Sequence, residues 1–180
     1  MNLIFRLLIT LIRCRFTKKH GILEPSSITF TALPLDIDIN MHLTNSRYFS
    51  FMDLARLHHI SHFKNLYKTI LKNRWFPVIA GIEIKFIRPY NPFARVMITT
   101  SIVGWDEKYL YLEQTFTNKG KTYALALVKG MFVHKSKPIA ISQLLKALDQ
   151  EKLEQPELPE TMKTWKRLNK LKREQSMKED

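Results

Sequence analysis

The order of apolar and polar side chains predicts one strand, one buried helix and then a run of antiparallel strands. Residues 27–33 alternate apolar and polar positions up to Pro34, which reads as a strand and its end. Residues 45–62 follow another rhythm. Tyr48, Phe49, Phe51, Met52, Leu54, Ala55, Leu57 and Ile60 leave no wide polar face, so this helix is expected to be buried, with Thr44 or Asn45 as its N-cap. After a basic connector, the segments 78–87, 95–105, 108–117 and 122–134 return to a strand pattern. Short turns join them, one being Asn118-Lys119-Gly120, so neighbours pair antiparallel. A helix is expected over 141–153. The charge-mixed stretch 154–180, with Pro156 and Pro159 early, forms a mobile or helical tail. The whole is an α+β architecture: an antiparallel sheet with one apolar face curls around the buried helix. Its free edge predicts self-association.

The first fifteen residues, MNLIFRLLITLIRCR, are apolar with Arg6 and Arg13 on one side of a helix. A secretory signal would carry its charge before the apolar stretch; here Arg6 interrupts it and Arg13, Arg15, Lys18 and Lys19 follow it. Two readings stand open. The helix lies on an anionic membrane, or it packs against the protein's own body or a dimer partner. The expected organisation is an N-terminal segment over 1–22, one domain over 23–148 and a charged C-terminal helix or tail over 149–180.

Composition narrows the classes. With 45% apolar residues and 11 Phe, the chain can build a core, which excludes a wholly disordered protein. The single cysteine, Cys14, excludes a disulfide scaffold and fits a reducing compartment. No apolar run reaches the roughly 18–20 residues of a membrane-spanning helix. The expected location is cytoplasmic, with residues 1–19 as a candidate peripheral membrane contact. The net charge of +13 is uneven: residues 1–20 carry five basic side chains and no acid, whereas residues 149–180 balance to zero. The excess favours polyanionic partners, including phosphate-bearing small molecules.

Candidate chemistry concentrates between the first strand and the buried helix, where Asp36, Asp38, Asn40, His42 and Asn45 fall within ten residues. A helix start offers unpaired N–H groups and a positive dipole end, suited to a developing oxyanion. Asp38 is the candidate general base or nucleophile, with His42 or Asn40 positioning water or a carbonyl. The competing reading is a hydrogen-bonded strand-to-helix corner. Asp36 is read chiefly as a turn or cap residue; were the segment extended, it would share the cleft with Asp38. Arg88, with Lys85 and Arg95 nearby, is the candidate phosphate contact. Other signals fall away. His58 and His62 have metal-ligand spacing without an obvious third ligand, so no metal is expected. No Gly-x-Ser-x-Gly elbow or Gly-rich phosphate loop is present. Tyr109 and Tyr111 alternate like packing residues, so no nucleic-acid partner is expected.

The spacing Asp36-x-Asp38-x-Asn40-x-His42-x-x-Asn45-x-x-Tyr48, followed by Asp53-Leu54-Ala55-Arg56, resembles the hotdog-fold acyl-CoA thioesterases. The likeness is to their 4-hydroxybenzoyl-CoA thioesterase-like branch and the related thioesterase superfamily member proteins. It covers about residues 25–145 and includes the strand from Gly81 to the Arg88-Pro89 pair. The resemblance implies a thioester hydrolase of lipid metabolism acting on a fatty or aromatic acyl-CoA, needing no cofactor and working as a homodimer or tetramer. It implies that Asp38 attacks the thioester carbonyl or activates water. The family's motif His falls on His42, the Asn ahead of the helix on Asn45 and the helix Tyr on Tyr48. Two departures stand out: Thr44-Asn45 replaces the two consecutive Asn of many relatives, and Asn40 stands where many carry a small or apolar residue. The alternative is a non-catalytic acyl-CoA or acyl-carrier binding protein, apposed to a membrane, that kept the fold.

Overall fold

A computed structural model describes residues 2–176; Met1 and the last four residues of the expected tail lie outside the described residues. The elements in order are α1 (Asn2–Arg15), β1 (Ser26–Thr31), a 3-10 turn (Pro34–Asp36), α2 (Asn45–Ser61), α3 (Leu66–Asn73), β2 (Phe76–Phe86), β3 (Arg95–Trp105), β4 (Leu110–Asn118), β5 (Lys121–His134), β6 (Lys137–Pro138), α4 (Ile141–Ala147) and α5 (Glu160–Ser176). The sheet is antiparallel in the order β1-β3-β4-β5-β2, with the short β6 on the end of β5. It curls around α2 as a half-barrel, the hotdog arrangement.

Alternation explains the core. Along β3, Val96, Ile98, Thr100 and Ile102 point inward, and along β5 Ala124, Ala126 and Val128 do the same. Against them α2 buries Tyr48, Phe51, Met52, Leu54 and Ala55. The small alanines leave room for the helix, and the large α2 side chains fill it to close packing. Beside this core, α3 and α4 close a second cluster of Phe63, Leu66, Ile70, Trp75, Trp105, Phe132, Ile141 and Leu144. On the sheet's other face, α5 seats Met162 and Trp165 against Tyr111.

Several boundaries differ from the sequence pattern. The basic connector holds α3, whose Leu66 and Ile70 are buried while its lysines stay exposed. The helix after β6 stops at Ala147 rather than 153. In the stretch 154–180 the helical alternative holds over Glu160–Ser176, where α5 packs on the sheet through Met162 and Trp165.

The two sheet edges are finished differently. Along β1, the outer carbonyls are taken by arginines of α1: Arg6 Nη2 donates to Thr31 O at 2.8 Å and Arg13 Nη1 to Thr29 O at 3.2 Å. Along β2, much of the strand stays exposed, including Phe76, Val78, Ile79 and Phe86. A long, partly apolar, uncovered strand is a template for pairing with another chain.

Candidate active site

Chain geometry between β1 and α2 sets the site. The 3-10 turn ends at Asp36, and residues 37–43 form a tight loop closed by the Ile37–Leu43 bridge. Within it Asp38 N–H donates to His42 O at 2.8 Å, and Met41 sits at φ 61° to let the chain reverse. The Asp38 carboxylate stabilises the same turn: its Oδ1 accepts the N–H of Asn40 at 2.9 Å and of His42 at 3.2 Å. Both bonds fall on Oδ1, and no protein partner reaches Oδ2 among the described residues. The corner reading thus describes one oxygen of the carboxylate.

Asp38, His42, Asn45, Tyr48 and Arg88 line one cleft of about 290 Å³, together with Phe86, Ile87 and Pro89. The loop brings the first two, the opening turn of α2 the next two, and the end of β2 the arginine. Arg88 is itself fixed, its guanidinium donating to Thr122 O and its backbone N–H to Tyr123 O. Thr44 at the start of α2 makes no side-chain capping bond, so the helix N-terminus opens beside the cleft with its dipole uncapped. Tyr48 forms a buried wall, its ring edge-on to Phe86 with centroids 4.9 Å apart. Burial pushes its phenol up to about 12, so it keeps its proton and is a donor rather than a base.

Asn40 does not line this cleft. Its side chain is exposed outside the cleft, and only its backbone N–H touches the Asp38 carboxylate. Lys85 is also absent from the lining, and Arg95 lies in a separate shallow groove with Arg13. Asp36 does not share the cleft either. The 3-10 turn rotates it inward, where it is 0% exposed. There its Oδ2 accepts from Arg6 Nη2 at 2.6 Å and from the Leu33 N–H at 2.9 Å, while Oδ1 meets Arg47 Nε at 3.1 Å. Its carbonyl receives the Thr44 N–H at 2.9 Å, fastening the loop to the start of α2.

Sequence reasoning missed two features. The first is that arginine clamp, whose members lie 30 and 11 residues from Asp36. The second is a cavity of about 250 Å³ farther along α2, walled by Leu57, Ile60, Phe63, Val78, Ile102 and Trp105, with Asp53 and Arg56 at its polar side. Arg56 reaches from there into the core, where its Nη1 donates to Gln114 Oε1 at 2.7 Å. Gln114 Nε2 in turn donates to Met52 O and Thr100 Oγ1, so the buried polar groups satisfy one another. No sequence pattern marks the cavity, because its lining comes from seven elements. As for His58 and His62, no group of three or more metal-ligating side chains is placed to hold an ion among the described residues.

The cleft, with a carboxylate at the mouth of a helix N-terminus inside a hotdog sheet, defines the class, and comparison with known proteins supplies the family. Residues 32–165 match the thioesterase-like superfamily, and the chain belongs to it. The chain is 29% identical to the Drosophila melanogaster Protein THEM6 over 86% of this chain and 82% of the fly protein. It is also 29% identical to a Saccharomyces cerevisiae probable thioesterase, over 65% of this chain and 51% of the yeast one. Among solved structures, the DHNA-CoA thioesterase of Staphylococcus aureus superposes with a TM-score of 0.62, at 15% identity, over 71% of this chain and 88% of its own. Thioester hydrolysis is the reaction class of this family.

Proposed function

We propose that the protein hydrolyses acyl-CoA thioesters with Asp38 as the reacting carboxylate. The observation that carries the reading is the convergence of Asp38, the uncapped α2 N-terminus and Arg88 on one cleft. In this scheme the thioester carbonyl sits over the start of α2, whose N–H groups stabilise the negative charge that develops on its oxygen. Asp38 either attacks the carbonyl carbon, expelling the thiolate and forming a mixed anhydride that water then cleaves to the free acid, or takes a proton from a water that attacks the carbonyl and expels the thiolate; its Oδ1 is held by the Asn40 and His42 amides. The leaving thiolate is a weak base and needs no strong general acid. His42, on the cleft wall, orients water or the carbonyl. Asn45 and Tyr48 bind the acyl end, and Arg88 meets a phosphate of the coenzyme.

The apolar cavity along α2 shares no lining residue with the cleft and stands apart from the reacting groups. Asp53 lies eight residues beyond Asn45, about 12 Å along the helix axis. The uncovered β2 edge supports a dimer formed by sheet continuation. The coenzyme enters as substrate, and no cofactor takes part in the scheme. We place the reaction in the cytoplasm.

Free-thiol release from short, long and aromatic acyl-CoAs, by wild type and by Asp38→Asn, tests the reading. Release that collapses in the variant is the expected result. A folded wild type that binds acyl-CoA and releases no thiol from any of them would make it a binding protein instead.

A further inference from the structure

The helix α1 is amphipathic the wrong way round for a helix packed on a protein. From Arg6 to Cys14 its polar side chains face the body or the β1 edge. Arg6 and Thr10 are 8% and 1% exposed. Arg6 pairs with Asp36 and lies 4.7 Å over the Phe51 ring, Arg13 bonds the β1 edge, and Cys14 Sγ approaches Leu57 O at 4.0 Å. These residues form one stripe at helical spacing. The opposite face is apolar between Ile4 and Ile12: Ile4, Phe5, Leu7, Leu8, Ile9, Leu11 and Ile12 are all exposed, and Phe16 just beyond the helix is 82% exposed. Eight large hydrophobic side chains on one short segment make a contiguous patch of the kind that marks a binding surface.

Charge decides what covers it. Arg15, Lys18 and Lys19 stand exposed at the same end as Phe16, and residues 1–20 hold no acid. A second copy of this chain would bring another segment of charge +5 against the first, whereas an anionic lipid surface offers hydrocarbon for the patch and phosphate for the basic end. Helix α1 is short against the thickness of a bilayer. Its 14 residues span about 21 Å, short of the roughly 30 Å hydrocarbon core, and no helix among the described residues is long and apolar enough to cross. Arg6, buried at its middle, also fixes it flat against the body.

We propose that α1 is a lipid-docking helix that seats the protein on an anionic bilayer, its outward apolar face in the acyl boundary and Arg15, Lys18 and Lys19 among the headgroups. The superfamily match begins at residue 32, beyond this helix, so the docking is independent of the hydrolase reading. Because Arg6 grips Asp36, the helix that enters the bilayer is tied directly to the loop carrying Asp38. The cleft is therefore held at a set height and orientation above the lipid.

Co-sedimentation of the full chain with phosphatidylcholine vesicles, with and without phosphatidylserine, tests this. The triple variant Ile4→Asp, Leu8→Asp, Ile12→Asp replaces only exposed side chains on one face. The wild type is expected to pellet with the anionic vesicles and to be released by raised salt. The triple variant is expected to bind at least tenfold more weakly while keeping the wild-type melting temperature and circular dichroism spectrum. Failure of the wild type to pellet, equal pelleting of the triple variant, or indifference to phosphatidylserine would overturn the proposal. So would self-association, abolished by the triple variant, in place of vesicle binding.

Discussion

Asp36 and Asp38 are two residues apart, carry the same side chain, and live in opposite environments. Asp36 is sealed from water between Arg6 and Arg47 and spends both oxygens on them and on a backbone amide. Asp38 sits in an open cleft, uses one oxygen to hold its own turn, and keeps the other without a protein partner among the described residues. The difference comes from the backbone. A single 3-10 turn between β1 and the loop points one carboxylate into the body and the next into the cleft. A carboxylate surrounded by guanidinium groups is held for structure; one beside a helix N-terminus, with an oxygen to spare, is available for chemistry.

Substitutions at the two carboxylates and their partners separate them by the size of the loss. Asp36→Asn leaves two guanidinium groups against a neutral side chain, with Arg6 buried and Arg47 mostly so. It should cost about 3–5 kcal/mol, read as a fall in the urea midpoint. A loss under about 1 kcal/mol would mean that the clamp is not what fastens the loop. Arg6→Ala removes one of the two cations and should cost less, about 1.5–3 kcal/mol, because Arg47 remains on Oδ1. The same variant should also free the end of α1, visible as faster amide exchange over residues 2–15.

Acid should weaken the opposite end of α2. His59 is buried with its Nδ1 2.7 Å from Ser26 Oγ, and burial, with His20, His62 and His58 close by, depresses it to about 3. Burial lowers His58 to about 4, with His62, Arg13 and His20 adding to the effect. A histidine depressed in the folded state takes its proton more readily when unfolded. Stability is therefore full above about 6.5 and falls as the pH drops from there toward 4. The slope is at most about 1.4 kcal/mol per pH unit for His59. His59→Gln should flatten it in urea titrations run across that range. Smallest of all, Asn40→Ala should change thiol release less than about twofold and stability by under about 0.5 kcal/mol, since only its backbone touches Asp38. A large loss would return the Asn40 side chain to the site.

Much of this fold is legible in the amino-acid sequence. The strand at 95–105 and the start of the buried helix at Asn45 are readable because alternation and an all-round apolar helix are local signals. So is the cluster containing Asp38, His42, Asn45 and Tyr48, which the loop and the first turn of α2 bring to one wall. What escapes depends on contacts distant in sequence. Nothing around Asp36 announces that Arg6 will reach it, and nothing in a basic eight-residue stretch announces α3, which forms because Leu66 and Ile70 find a neighbouring cluster. The inward polar face of α1 is hidden for the same reason: the residue pattern shows the two faces but not which one the body takes.

The most direct test sets the two aspartates side by side, measuring acyl-CoA thiol release and the urea midpoint for Asp38→Asn and Asp36→Asn. Asp38→Asn keeps an oxygen acceptor for the turn, so it should hold the wild-type midpoint while its rate falls by about a hundredfold or more. Asp36→Asn should lose its midpoint first. An Asp38→Asn protein that hydrolyses at the wild-type rate, or that loses stability as Asp36→Asn does, would contradict the division of labour between the two carboxylates.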